Sequence, residues 1–239
     1  MGRRLAVAAA ALLVALLSVP GASTVTPARA DPPPFWPPPV LSQERLVDTA
    51  VRIDSRGGGA FDIGTGVGVG SHVVLTNAHL TRDPVTLVTR CDDDLLSVRR
   101  IERATDVDLA VVVTDQPGVV PIELAPQDPV AGEHVTMIGY PGGDRTVSGA
   151  TVEGTLVRRD GTVLRFRPQP QPGQSGSPLV DDSGRLVGIA YAMDTTGGQG
   201  LAVPVSRVRA ALDRWRASGV PIAATTGDPV AVAARSPIC

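Results

Sequence analysis

The sequence predicts an all-β protein: two six-stranded antiparallel β-barrels with a cleft between them, followed by one C-terminal α-helix. Three observations carry this. From Leu46 onward, short β-branched runs of about five to eight residues are separated by Gly, Asp and Pro, as in a barrel or sandwich. The runs form two sets of six, divided where Pro121, Pro126 and Pro129 interrupt any continuing strand. One segment near the end has a helical apolar period instead.

Residues 1–30 read as a secretory signal peptide. Arg3 and Arg4 form the charged start, Leu5 to Val19 the apolar stretch, and Ala28-Arg29-Ala30 the small-residue cleavage site. The apolar run is shorter than the roughly 20 residues of a membrane span, so the expectation is export, with cleavage near Ala30 and no integral span in the mature chain. Residues 31–45 form a Pro-rich arm, with six prolines between Asp31 and Val40 around Phe35 and Trp36; such a segment is extended and semi-rigid.

The first barrel is expected over 46–127, with strands at Val47 to Ile53, Ala60 to Val69, His72 to Thr76, Val85 to Thr89, Leu95 to Arg99 and Leu109 to Val113. The second is expected over 128–205, with strands at His134 to Tyr140, Val147 to Arg158, Val163 to Arg167, Pro178 to Val180, Arg185 to Met193 and Leu201 to Val205. Ser206 can cap a helix over 206–218, in which Val208, Ala211, Leu212 and Trp215 share one face and Gly219 is the stop. The tail, 219–239, reads as a strap.

Removing the first 30 residues takes away three arginines and no acids, so the formal charge moves from −2 to −5. A mildly acidic surface argues against a nucleic-acid partner. The chain has no lysine, which excludes a Ser-Lys dyad. Its two cysteines, Cys91 and Cys239, suggest in an exported protein an internal bridge closing a loop of about 150 residues, worth on the order of 4 to 5 kcal/mol. Two free thiols or an intermolecular bridge are the alternatives. Asp92-Asp93-Asp94 lacks the EF-hand spacing and reads as an exposed turn, and no His/Cys grouping has zinc spacing. No metal and no cofactor are expected.

The chemistry concentrates in three stretches: Thr76-Asn77-Ala78-His79-Leu80, then Asp106-Val107-Asp108-Leu109-Ala110, then Gly173-Gln174-Ser175-Gly176-Ser177-Pro178. A serine hydroxyl is a weak nucleophile that needs a neighbouring base, and the base needs a third group to fix its tautomer. The order His, Asp, Ser differs from that of the α/β-hydrolases and of subtilisin. The three stretches resemble the trypsin-like, chymotrypsin-fold serine peptidases, and the short spacings, 29 residues from His79 to Asp108 and 67 from Asp108 to Ser175, look like the bacterial HtrA-like branch without a PDZ domain.

That resemblance implies a secreted serine endopeptidase acting on polypeptide. Ser175 would be the nucleophile, His79 the general base, Asp108 the orienting acid, and the Gly173 and Ser175 amides the oxyanion hole. Ser177, His72, His134 and Asp106 are the rivals for these roles. Gln169 stands six before the serine, where trypsin-type enzymes place the Asp that binds basic residues, so a small or medium apolar side chain is the expected preference. Tyr191, Ala192 and Met193 are expected to line the cleft, Tyr191 replacing the small serine common there. No Ile-Val-Gly-Gly follows Asp31, so activation by propeptide cleavage is not expected. The alternative function is a catalytically silent or latent protease-fold protein that binds a peptide or protein partner; an esterase is a third. The oligomeric state is not legible.

Overall fold

The computed structural model describes residues 46–57, 60–83, 85–90, 94–194 and 197–223. The expected signal peptide, Pro-rich arm, Cys91–Cys239 bridge, Asp92-Asp93 turn and distal tail lie outside those residues. No helix among the described residues is long and apolar enough to cross a membrane.

The chain is mostly β, with two barrels and one C-terminal helix. Strands β1 (Ala50–Gly57), β2 (Ala60–Gly70), β3 (Val73–Thr76), β4 (Val85–Thr89), β5 (Leu95–Leu96), β6 (Val98–Arg103) and β7 (Ala110–Thr114) make one antiparallel sheet, in the order β5-β4-β1-β2-β3-β7-β6. The single strand expected from Leu95 to Arg99 is two pieces. Leu95 and Leu96 pair with Thr89 and Val88, whereas Val98 pairs with Thr114. Between them the Ser97 N–H turns to the Gln116 side chain, while its carbonyl accepts from Asp115. The chain thus changes partner strand at this corner and brings the barrel nearly to closure. The second barrel is closed, in the order β10-β13-β12-β11-β8-β9, from β8 (His134–Gly139), β9 (Thr146–Arg158), β10 (Gly161–Arg167), β11 (Pro178–Val180), β12 (Leu186–Asp194) and β13 (Gln199–Pro204).

Strand periodicity sorts the side chains into two cores. On β3 and β7, Val74 and Val112 point into the first barrel with Val51, Ile53 and Val88. Their neighbours Val73, Leu75, Val111 and Val113 point the other way, into a core shared with Met137, Leu164, Phe166 and Ile189. Both faces are covered, so the two strands read as unbroken apolar runs instead of alternating. Each fully buried Val, Leu or Ile contributes on the order of 1.5 to 3 kcal/mol. The alternate glycines of β2 serve the first core, since a Cβ on Gly64 or Gly66 would fall 2.2 Å from Leu80 or 2.4 Å from Val74. Strand alternation then places Thr65, between them, on the opposite face, toward the second barrel.

The helix α1 (Val205–Ala217) buries Val208, Ala211, Leu212 and Trp215 and ends at Gly219, whose φ is +89°. Ser206 does not cap it. The cap comes from Asp128 of the inter-barrel segment, which accepts the Ser206 N–H at 2.8 Å and the Ser206 hydroxyl at 2.7 Å. A helix start beginning Pro204-Val205 offers no local acceptor, and a carboxylate suits the positive end of the helix. The described part of the tail turns back to the first barrel, with the Ala223 N–H on the Val69 carbonyl.

Candidate functional site

The register of β3 with β7 brings His79 and Asp108 together. Thr76 pairs with Ala110, so the chain leaving β3 and the chain entering β7 meet at the same end of the sheet. His79 begins a 3₁₀ turn three residues beyond Thr76, and Asp108 stands two residues before Ala110. The Asp108 carboxylate receives His79 twice: its Oδ2 is 2.6 Å from the ring Nδ1, and its Oδ1 accepts the His79 backbone N–H at 3.0 Å. The Asn77 side chain donates to the Asp108 carbonyl at 2.9 Å. Burial pushes the Asp108 carboxyl up, but the His79 ring and backbone hydrogen bonds and the charges of His79 and Arg82 outweigh it, holding the group below its ordinary value of 3.8.

The rivals separate by place. His72 sits at the other end of β3, with Nδ1 3.4 Å from the Thr114 carbonyl, and His134 is an exposed partner of Asp182. The Asp106 carboxylate faces Arg214 at 2.8 Å, and its carbonyl accepts from Arg207 at 2.8 Å. Asp106 therefore ties its loop to α1 and does not touch His79.

The serine loop is seated against the first barrel. The Thr65 N–H donates to the Ser175 carbonyl at 2.7 Å, and the Thr65 hydroxyl donates to the Gly173 carbonyl at 2.9 Å while accepting the Tyr140 N–H at 3.1 Å. Gly176, with φ +85°, approaches so closely that a Cβ there would fall 1.9 Å from the Thr65 carbonyl and 2.7 Å from the Thr76 hydroxyl. The loop thus rests on the strand that leads to His79. Ser175 is half-buried, and its hydroxyl makes no hydrogen bond among the described residues. Ser177 is fully buried, its hydroxyl without a partner among the described residues, so it is not presented to the cleft. Gly173, with φ +96°, lies where a Cβ would meet the Tyr140 carbonyl at 2.2 Å, and neither its N–H nor that of Ser175 donates to another backbone group among the described residues. Sequence reading missed Thr65, whose only signal was a lone hydroxyl in a Gly-Thr-Gly step of an otherwise apolar strand face.

Of the expected cleft residues, Gln169 is exposed, Tyr191 and Ala192 are half-buried, and Met193 is 43% exposed. Pairing of β12 with β13 slips between Ala190 and Ala192, leaving Tyr191 as the bulged residue; bulges re-aim side chains. Burial raises the Tyr191 hydroxyl, with Asp160 and Asp108 adding to it and the hydrogen-bonded Arg158 opposing. Pairing of β12 with β11 ends at Ile189, so residues 191–193 have no partner strand on that side among the described residues.

A family model described as trypsin-like peptidase domain matches residues 64–189. Protease Do-like 1 of Arabidopsis thaliana, chloroplastic, is 29% identical over 194 residues, covering 71% of this chain and 44% of that protein. Serine protease Rv3671c of Mycobacterium tuberculosis is 24% identical over 140 residues, covering 54% of this chain and 35% of that protein. The chain thus spans less than half the length of these relatives. Among solved structures, the active form of the Rv3671c protease superposes with a TM-score of 0.66 at 21% identity, over 80% of this chain and 90% of that one. The HtrA-type protease AlgW with a tripeptide gives 0.61 at 23% identity, over 70% of this chain and 60% of that one. Both likenesses concern the fold.

Proposed function

This chain belongs to the trypsin-like peptidase domain family, and from that premise we propose that it is a serine endopeptidase hydrolysing peptide bonds through an acyl-enzyme. The observation that carries the reading is the double grip of Asp108 on His79. A carboxylate holding ring Nδ1–H leaves Nε2 as the free acceptor, the tautomer a base beside a serine requires.

In this reading Ser175 Oγ attacks the substrate carbonyl as His79 Nε2 takes its proton. The N–H groups of Gly173 and Ser175 receive the oxyanion, each worth roughly 3 to 4 kcal/mol to the transition state. The intermediate collapses, His79 gives the proton to the leaving amine, and water repeats the sequence on the acyl-serine. The side of β12 at 191–193 that pairs with no strand among the described residues supports an extended peptide bound as an added strand. An exposed Gln169 and an apolar Met193 support a preference for neutral side chains over basic ones. Export of the chain and a Cys91–Cys239 bridge complete the reading and rest on the sequence alone.

The second reading, a latent or silent binding protein, has one observation in its favour: the Ser175 hydroxyl makes no hydrogen bond among the described residues. Catalytic hydrogen bonds often tighten only when substrate is present, so the peptidase reading stands first.

The test is labelling of the purified chain with a fluorophosphonate probe, beside Ser175→Ala and Ser177→Ala, with mass mapping of the adduct. The expected result is an adduct on Ser175 that only Ser175→Ala abolishes. A native chain that does not label would move the assignment to the binding protein.

A further inference from the structure

Residues 171–174 form one turn that decides where the Gly173 N–H points. The Gln174 N–H donates to the Gln171 carbonyl at 3.0 Å, with Pro172 at the second position and Gly173, at φ +96°, at the third. That is a type II turn, which needs positive φ at its third position and accepts proline at its second; the type I′ turn, which shares the first requirement, needs positive φ at the second position too, and proline forbids it. Its central peptide could rotate toward the type I arrangement, which also accepts proline at the second position. Rotation would reverse the Pro172 carbonyl and the Gly173 N–H together, because they lie antiparallel across one planar trans peptide.

Two clasps oppose that rotation. The Gly142 N–H donates to the Pro172 carbonyl at 3.4 Å, which directs the Gly173 N–H away from the 140–143 loop. The second is a side chain. Gln174 is 3% exposed, and its Oε1 accepts the Gln171 N–H at 2.7 Å, so the first and last residues of the turn are tied by two reciprocal hydrogen bonds instead of one. The Gln174 stem is packed beside Gly139, where a Cβ would stand 3.3 Å from its Cγ. A buried long amide gives up rotamer freedom and needs partners for its polar end; here that end is spent on the backbone of the turn.

We propose that Gln174 is a positioning residue that keeps the Gly173 N–H turned toward the oxyanion. It touches no reacting atom and acts through the Gln171–Pro172–Gly173 backbone. The inference rests on the peptidase reading above, because an oxyanion exists only if Ser175 attacks.

The experiment compares the native chain with Gln174→Met and Gln174→Glu in p-nitrophenyl acetate hydrolysis and in amide hydrogen exchange. Methionine keeps the length and apolar bulk but cannot accept well from Gln171, whereas glutamate restores an acceptor oxygen. Losing an oxyanion donor costs about 10² to 10³ in kcat, so a donor displaced for part of the time should cost Gln174→Met about 10- to 100-fold in kcat, with KM unchanged within two-fold. Gln174→Glu should recover most of the loss. Exchange in Gln174→Met should quicken at 171–174 while β11 and β12 keep their protection. Unchanged kcat in a folded Gln174→Met overturns the role. So does a loss that glutamate fails to repair, or quickened exchange spreading through β11 and β12, which marks a structural residue only. A native chain that neither labels with fluorophosphonate nor turns over the ester overturns the peptidase reading, and the positioning role falls with it.

Discussion

Replacing Asp108 by asparagine sets the two His79 hydrogen bonds against each other. The carboxylate has an oxygen for each donor, the backbone N–H at 3.0 Å and ring Nδ1 at 2.6 Å; the carboxamide has only one oxygen. If that oxygen keeps the backbone N–H, the new NH₂ faces Nδ1, which must then lose its proton to Nε2, and the ring can no longer accept from serine. If the amide flips, the NH₂ opposes the backbone N–H. Leaving one buried donor unmet costs about 1 to 3 kcal/mol. The charge-assisted bond to the imidazolium, about 1.5 to 3 kcal/mol, is lost as well. Together these give about 2.5 to 6 kcal/mol, a fall in kcat on the order of 10² to 10⁴ at 1.36 kcal/mol per tenfold. The assay is kcat and KM on an activated ester and on a peptide library, with thermal melting to confirm the fold. A loss below tenfold in folded Asp108→Asn would refute the tautomer argument and return Asp106 to contention.

Three further outcomes follow from the same geometry. Because the folded-state carboxyl of Asp108 lies below its ordinary 3.8, its stabilisation is fully present above that pH and lost as the pH falls through the folded value. The stability gap between the native chain and Asp108→Asn, measured by urea titration, should be open at about pH 5 and close as the pH falls below about 4; a gap that widens from about pH 5 to about pH 3 would contradict this. Ser177→Ala removes a buried hydroxyl that has no partner among the described residues, so it should leave the melting midpoint unchanged or raise it, by up to about 1 kcal/mol of stability, and a clear drop would mean that the hydroxyl is hydrogen-bonded in the folded chain. Asp128→Ala takes away the remote cap on α1 and should cost about 1 kcal/mol, read as a lower melting midpoint with ester turnover preserved.

The positions of the strands were legible because burial imposes a period of two on any strand whose faces meet different surroundings. In β3 and β7 both faces meet apolar cores, and the bare Val-Val-Leu and Ala-Val-Val-Val runs between turn residues were enough. The bent strand at Ser97 was not legible, since a change of partner strand leaves no trace in the hydrophobicity of either piece. The helix was found and its cap misassigned for a related reason. Local rules search the neighbouring residues for an acceptor, and Asp128 lies 78 positions away. Asp106 and Asp108 are two residues apart with the same chemistry, and only the approach of Arg214 from α1 separates the loop anchor from the carboxylate on His79.

The sequence by itself determined the all-β class, the two sets of strands, the C-terminal helix and the residues from which a His, Asp, Ser site could be made, because residue type and spacing are local quantities. Tertiary structure decided how those residues are held. Thr65 seats the serine loop, Gln174 closes its turn on Gln171, and Tyr191 sits at a bulge where the β12–β13 register slips. Each of these depends on a pairing register or a backbone direction, properties of how segments meet in space that no single segment carries.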